Sequence, residues 1–172
     1  KSVVVTVFDS RQLSLGTGFL VETAAKLAEL GHSVAEIMTA LNEQISRSHV
    51  FAALDTLEFL RRSGRMNRFI ANIGALLQLK PILTMYDGKL GSEQVRTRAR
   101  ATKRLLEMLQ QIGVFERIAI VHTHAADRVA ELRSHLASLT LPADMIDADI
   151  TPVIGAHIGP GAVGFAVVAA RT

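Results

Sequence analysis

Cysteine and tryptophan are both absent from this chain of 172 residues. Without cysteine the protein can form no disulfide, use no thiolate as a nucleophile and bind no metal through sulfur. A sequence without cysteine is also compatible with a reducing compartment, so we expect a cytoplasmic protein.

Long apolar runs and aromatic residues are scarce as well. No run approaches the roughly 20 apolar residues that cross a bilayer as a helix, so we expect no membrane span. Aromatic residues are 5% of the chain, and the formal net charge is only +3. The arginine clusters of the chain have no aromatic residues between them that could stack on bases, so we expect no nucleic-acid partner. Steeply salt-dependent DNA binding would revive that alternative.

Aliphatic residues, in contrast, are abundant, because hydrophobic residues make up 49% of the chain although aromatics are few. Two explanations fit this excess. The protein has a surface that a partner or a missing segment covers, or it encloses a cavity with aliphatic walls.

The first 48 residues predict part of an α/β lobe. A strand is expected over residues 3–8, followed by helices over 16–30 and 34–47, and Ser33 with Glu36 forms a capping box at the second helix. This unit lacks the neighbouring strands that a parallel sheet needs. We therefore interpret residues 1–48 as the C-terminal part of a larger lobe whose remainder is absent from this chain.

Residues 49–172 predict a second lobe of the α+β class, so that the overall fold class is α/β. The Asp87-Gly88 pair is a strong turn signal between two strands. The predicted elements are strands over 49–54, 82–86, 92–96, 117–121, 144–150 and 164–170, and helices over 57–60, 69–79, 101–112 and 127–139. This order favours a mixed, largely antiparallel sheet with flanking helices.

A glycine-rich sequence near the C-terminus, Gly155–Gly161, predicts a turn whose backbone N–H groups can approach an anion closely. His157 is the one side chain of that turn able to bind or transfer a proton. Ser10, at the end of the first predicted strand, offers a hydroxyl to the same anion. We take both side chains, with Gly159 and Gly161, as candidate ligand-binding residues, although a structural histidine and a helix-capping serine are the plainer alternatives.

Two arginines are also candidates for binding an anion. Arg65 follows a predicted helix end and Arg96 ends the predicted hairpin, and a guanidinium at either place can pair with an anion through two hydrogen bonds. Ordinary charges at element ends are the alternative. His122 and His124 share one face of a strand, but no carboxylate stands at zinc-like spacing near them, so we expect no metal site.

The predicted helix over residues 69–79 is apolar around most of its circumference. Such a helix is either core or the wall of a tunnel for an acyl chain. Burying about fifteen methylene groups would contribute on the order of 12 kcal/mol before the costs of association. The candidate tunnel-lining residues are Phe69, Ile70, Ile73, Leu76 and Leu77.

Five motifs in order resemble the DegV family of bacterial lipid-binding proteins, and the resemblance covers nearly the whole chain. They are Asp9-Ser10-x3-Ser14-x-Gly16-x-Gly18, Leu57-x-x-Leu60-x3-Gly64-Arg65, Lys80-Pro81-Ile82-Leu83, Val95-Arg96-Thr97 and His157-x-Gly159-Pro160-Gly161. The family has roughly a further N-terminal third, including a threonine-containing loop that helps to hold the ligand.

The resemblance implies a two-lobed protein with a long-chain fatty acid buried between the lobes. Members of this kind present the acid to a separate, ATP-dependent fatty acid kinase, which makes an acyl phosphate for phospholipid synthesis. By the matching positions, Ser10 and His157 would contact the carboxylate, and Arg65 and Arg96 would face the phosphoryl group or the kinase. The resemblance thus implies a binding subunit without catalytic residues, whose ligand is the fatty acid and which needs no cofactor.

An enzyme acting alone is the rival hypothesis. His157 would then serve a small hydrolase or phosphotransferase as general base or phosphate acceptor, with Asp9 or Asp149 as the carboxylate that orients it. The sequence contains no G-x-x-x-x-G-K-[ST] motif for ATP, which favours the binding subunit.

Overall fold

A computed structural model of the chain describes residues 3–66, 79–137 and 139–171. Within these ranges, helices and strands follow one another in an order close to the predicted one. The elements are α1 (Leu15–Glu29), α2 (Val34–Ile45), β1 (Ser48–Ala53), α3 (Glu58–Arg62), β2 (Lys80–Tyr86), β3 (Lys89–Val95), α4 (Arg98–Ile112), β4 (Phe115–His122), α5 (Ala126–Leu136), β5 (Ile146–Asp149), α6 (Pro152–Ile158) and β6 (Val163–Ala169).

The strands form one six-stranded sheet in the order β3-β2-β1-β6-β4-β5. Only the β4–β5 pair is parallel, and all other neighbours are antiparallel. Asp87 and Gly88 join β2 to β3 with φ angles of 46° and 72°, the positive pair that a tight hairpin requires. The predicted fold class, a mixed and largely antiparallel sheet with flanking helices, is confirmed.

The two faces of this sheet carry different helices. On one face, α4 and α5 bury a core that includes Phe51, Leu105 and Phe165. Because side chains alternate along a strand, Val50 and Leu83 point to the opposite face. There α1 packs near Val50 and the short helices α3 and α6 pack near Leu83. The candidate site lies on this second face.

Helix α2 does not touch the candidate site but fixes α1. Its N-terminus has the predicted capping box, in which Ser33 accepts from the Glu36 N–H and the Glu36 carboxylate accepts from the Ser33 N–H. Leu41 and Ile45 of α2 pack with Leu20 of α1. Within the described residues, no helix combines the length and the apolarity that crossing a membrane requires.

The predicted strand over residues 3–8 is wrong. This segment pairs with no strand in the described part of the chain, and its valines at positions 3, 4, 5 and 7 are 80–89% exposed. A strand exists through its hydrogen-bonded neighbour, and β propensity alone does not supply one.

The predicted turn over Gly155–Gly161 is also wrong in its first half. Helix α6 spans Pro152–Ile158 and contains Gly155, so His157 lies in the last turn of a helix. Proline suits the first position of a helix because its φ is already near the helical value. The chain leaves the helix at Gly159, which has a φ of 75°. The turn therefore begins four residues later than expected.

Candidate functional site

An apolar cavity of about 230 Å³ lies between the second face of the sheet, helices α3 and α6, and the residues just before α1. Its apolar lining residues are Leu13, Val50, Ala52, Leu54, Leu60, Leu83, Met85, Leu90, Val121, Ile150, Ile154 and Ile158. Four polar residues complete the lining, namely Ser14, Arg65, Thr84 and His157. An aliphatic wall with a few polar groups is the composition of a site for a largely apolar small molecule.

His157 contributes the most unusual atom of this cavity. Its ring nitrogen Nδ1 is buried and has no hydrogen-bond partner in the part of the chain that the structure describes. A buried polar atom without a partner costs about 1–3 kcal/mol, and native proteins contain few of them. The helix that carries it is well anchored, because Ile158 packs with Leu54 and Leu60. A polar group of a ligand would satisfy the orphaned nitrogen.

Arg65 lines the same cavity from the segment that follows α3. That helix ends at Ser63 and Gly64, as predicted, with Gly64 at a φ of 67°. The neighbouring Arg61 and Arg62 both pair with Glu58, whereas Arg65 has no ion-pair partner among the described residues. The structure therefore brings His157 and an uncompensated cation to one cavity.

Gly159 allows α3 and α6 to approach each other. A Cβ atom on Gly159 would lie 2.6 Å from Cε2 of Phe59, closer than real contacts permit. Gly161 is similarly constrained, because its Cβ would lie 2.6 Å from Oδ2 of Asp55. Both backbone N–H groups already donate within the protein, that of Gly159 to Gly155 and that of Gly161 to Thr123. The structure gives these glycines a packing role, and their contact with a ligand stays a prediction.

Ser10 is not among the residues that line the cavity. Its hydroxyl lies 3.1 Å from that of Thr17 and 3.3 Å from the Gln12 carbonyl oxygen. Ser14, from the same sequence motif, lines the cavity instead. It stands at the N-terminus of α1 with a φ of 50° and makes no side-chain capping bond. Ser14 belongs to the first sequence motif but is not among the predicted binding residues, because the spacing within that motif does not rank it above Ser10.

Arg96 lies outside the cavity lining, on the link between β3 and α4, where it is exposed. It has no ion-pair partner in the described ranges. The five candidate tunnel residues, Phe69, Ile70, Ile73, Leu76 and Leu77, fall outside the described residues.

His122 and His124 do meet a carboxylate. Because β4 and β5 run parallel, Asp149 lies beside both, with its Oδ2 3.0 Å from Nδ1 of His124 and its Oδ1 3.8 Å from Nδ1 of His122. The His124 backbone N–H is the first cause of a lowered pKa at Asp149. No cluster of three or more metal-binding side chains was found within the described part of the chain.

Known proteins resemble this chain in sequence and in fold. A DegV domain-containing protein of Streptococcus pneumoniae is 35% identical over 160 residues, which are 90% of this chain and 56% of that protein. A fatty acid binding DegV family protein of Streptococcus agalactiae superimposes with a TM-score of 0.84 at 31% identity, over 96% of this chain and 60% of its own. A fatty-acid-binding DegV family protein of Thermus thermophilus gives 0.83 at 31% identity, over 96% of this chain and 61% of its own.

The chain therefore spans somewhat less than two thirds of the length of these relatives. A family model described as "Uncharacterised protein, DegV family" matches residues 1–170. That match covers every motif on which the sequence resemblance was based. The chain belongs to the DegV family.

Proposed function

We propose that this protein binds a long-chain fatty acid, with the acyl chain in the apolar cavity and the carboxylate near His157 and Arg65. The observation that carries the proposal is the buried Nδ1 of His157, which has no partner within the described residues and borders an otherwise aliphatic cavity. Protonated imidazole and guanidinium groups both donate charge-assisted hydrogen bonds to carboxylates.

The aliphatic lining supplies the affinity. Each methylene that leaves water contributes roughly 0.8 kcal/mol, so an acyl chain gains more from this cavity than a sugar or a nucleotide would. Two solved relatives that are 31% identical are described as fatty acid binding, which supports the same ligand class here.

We further propose that the protein presents the carboxylate to a separate fatty acid kinase, which forms an acyl phosphate for phospholipid synthesis. In this role Arg65 and Arg96 face the phosphoryl group or the kinase. Support comes from the family resemblance and from the two guanidinium groups, neither of which has an ion-pair partner in the described ranges. The division into residues 1–48 and 49–172 remains part of this proposal, because the acid would lie between the two lobes.

The rival hypothesis, a hydrolase or phosphotransferase acting alone, receives less support. Asp149 pairs with His124, and Asp9 accepts a hydrogen bond from the Arg11 backbone. Neither carboxylate contacts His157 within the described residues. Without an orienting acid, this histidine is poorly set up as a general base.

Mass spectrometry of lipid extracted from the purified full-length protein tests fatty-acid binding. We expect a co-purifying long-chain acid, and its absence, together with no measurable uptake of added palmitic acid, would overturn the proposal. Turnover of an acyl phosphate by the isolated protein, lost in His157→Ala, would instead establish the enzyme.

A kinase assay with reconstituted components tests whether the protein presents the fatty-acid carboxylate to a kinase. Ser10→Ala combined with His157→Ala should abolish acyl-phosphate formation. Arg65→Ala should slow it and also weaken fatty-acid binding, whereas Arg96→Ala should slow it while fatty-acid binding persists. Arg133→Ala is the matched control, because this exposed arginine sits on α5, behind the sheet from the cavity. Unchanged turnover in the double variant would remove Ser10 and His157 from the site.

A further inference from the structure

We infer that Thr123 is a positioning residue for His157, acting through the loop of residues 159–162 that follows α6. This inference rests on the proposed function, because the property it explains is recognition of a carboxylate. Thr123 stands directly after β4 and is only 6% exposed.

Thr123 makes four hydrogen bonds to this loop, one of which its backbone N–H donates to the Ala162 carbonyl oxygen at 2.9 Å. Its hydroxyl donates to the Gly159 carbonyl oxygen at 2.6 Å and accepts from the Ala162 N–H at 2.9 Å. Its own carbonyl oxygen accepts from the Gly161 N–H at 2.7 Å. One buried residue therefore holds both ends and the middle of the loop.

The first of these bonds acts closest to the site. Gly159 is two residues beyond His157, and its N–H donates to Gly155 at 2.8 Å to close the last turn of α6. A fixed Gly159 carbonyl therefore fixes the peptide plane that follows this turn, and with it the direction in which the imidazole enters the cavity. Because the His157 Nδ1 has no hydrogen-bond partner among the described residues, the orientation of the ring depends on the backbone around it.

An ion pair between the buried Arg128 and the half-buried Asp55 also contacts the loop. Arg128 is 7% exposed, donates to the Gly161 carbonyl oxygen, and has its Nη1 3.5 Å from Oδ1 of Asp55. Burial lowers the pKa of this guanidinium, while Asp55 opposes that shift. Asp55 also pairs with Arg98 and Lys80, so its charge stays compensated if Arg128 is removed.

The chemistry requires a hydroxyl at position 123. Valine has nearly the shape of threonine but neither donates nor accepts, so Thr123→Val would leave the Gly159 carbonyl and the Ala162 N–H without this partner. Serine restores both bonds. Thr102 on α4 is also 6% exposed and makes no hydrogen bond to the loop, so Thr102→Val is a matched control for the loss of a buried hydroxyl.

The test compares ligands that differ only in the head group. Affinities for palmitic acid and for hexadecanol are measured on the full-length wild type and on the variants. We expect the wild type to prefer the acid, and Thr123→Val to reduce that preference about tenfold, the effect of one weakened polar contact. Thr123→Ser should keep the preference for the acid, because serine restores both hydrogen bonds. Thr102→Val should keep it as well, because a merely structural loss would weaken the binding of acid and alcohol alike.

Nitrogen-15 spectra of the histidine rings supply the second readout. The His157 signals should move in Thr123→Val and remain in place in Thr102→Val. An unchanged acid preference in folded Thr123→Val would overturn the inference. If thermal unfolding shows that this variant does not fold, Arg128→Met takes its place with the same expected loss, and an unchanged preference there would overturn it equally.

A failure of the proposed function would give different results from a failure of the positioning role of Thr123. If the wild type binds neither ligand, or if His157→Ala keeps the wild-type acid preference, then no carboxylate site exists at His157 and both proposals fall. If His157→Ala loses the preference and the Thr123 and Arg128 variants keep it, only the positioning role is wrong.

Discussion

Gly159 and Phe59 are packed so closely that no side chain fits between them. A Cβ atom at position 159 would lie 2.6 Å from Cε2 of the Phe59 ring, and the φ of Gly159 is 75°. This contact joins the helix that carries His157 to the helix that leads to Arg65. His157 and Arg65, two of the polar residues that line the cavity, therefore depend on one glycine.

Gly159→Ala should lower the free energy of unfolding by about 2 kcal/mol or more and weaken fatty-acid binding. Left-handed backbone costs a residue with a side chain about 1–2 kcal/mol, and the clash with Phe59 adds to that. Urea unfolding and a binding titration measure the two effects. Gly31→Ala is the control, because Gly31 has a φ of 83° and open space around it. Equal losses in both variants would show that the Phe59 contact contributes nothing.

Ala52→Leu should block the cavity. Ala52 lines the cavity from β1, where it is paired with Leu83 of β2 and Gly164 of β6. The added carbons displace two or three methylenes of the ligand, which corresponds to about 2 kcal/mol, or roughly a thirtyfold loss of affinity.

Ala52→Val should give a smaller loss than Ala52→Leu, since it fills less space. Palmitic acid titrations measure the series, and circular dichroism checks the fold. An Ala52→Leu protein that is folded and binds as tightly as the wild type would place the acyl chain elsewhere.

Sequence alone predicted most of the helices and strands that the structure describes. The Asp87-Gly88 hairpin, the Ser33–Glu36 capping box and the stop at Gly64 are local signals, and each appears where it was expected. Such signals depend on residues a few positions apart, so no tertiary knowledge is needed to interpret them.

The two wrong predictions concern segments whose secondary structure depends on tertiary contacts. Residues 3–8 have strand-like composition, but pairing is a property of two segments and the described chain offers no second one. Gly155 suggested a turn, whereas the proline at 152 and the packing of Ile158 produce a helix.

In the candidate site, too, sequence motifs predicted some residues and tertiary contacts determine the others. The motifs indicated His157 and Arg65, which line one cavity, but they could not indicate Thr123. Its role follows from the adjacency of β4 and β6, which are 41 or more residues apart in sequence by their paired positions His122 and Val163.

His157→Leu should separate stability from binding. The buried Nδ1 has no partner in the described chain, so replacing the ring by an apolar side chain removes a desolvation cost of about 1 kcal/mol from the apo protein. We expect delipidated His157→Leu to be at least as stable as the wild type in urea, yet to bind palmitic acid about tenfold more weakly. A less stable variant with intact binding would show that the histidine is a packing residue.

Acid should weaken the attachment of α1 to the sheet. Arg117 of β4 donates to Glu22 of α1 at 2.6 Å, and its guanidinium also lies 5.0 Å from the Phe19 ring centroid. The hydrogen bond from Arg117, with help from Lys26, lowers the pKa of Glu22 from 4.5 to about 2. A carboxyl whose pKa is lower in the folded state stabilises the protein above its unfolded pKa, and that contribution disappears as the pH falls from about 4.5 to about 2.

Glu22→Gln should therefore be less stable than the wild type at pH 7 by up to about 1 kcal/mol, the upper range for partly exposed pairs. The difference should shrink as the pH falls below 4.5 and vanish near 2, the two pKa values of this carboxyl. Urea unfolding at several pH values measures it. Glu29→Gln, at the end of the same helix, is the control because Glu29 has no ion-pair partner among the described residues. A stability gap between the Glu22→Gln variant and the wild type that stays constant from pH 7 to pH 2 would mean that the carboxylate charge of Glu22 does not hold α1 to β4.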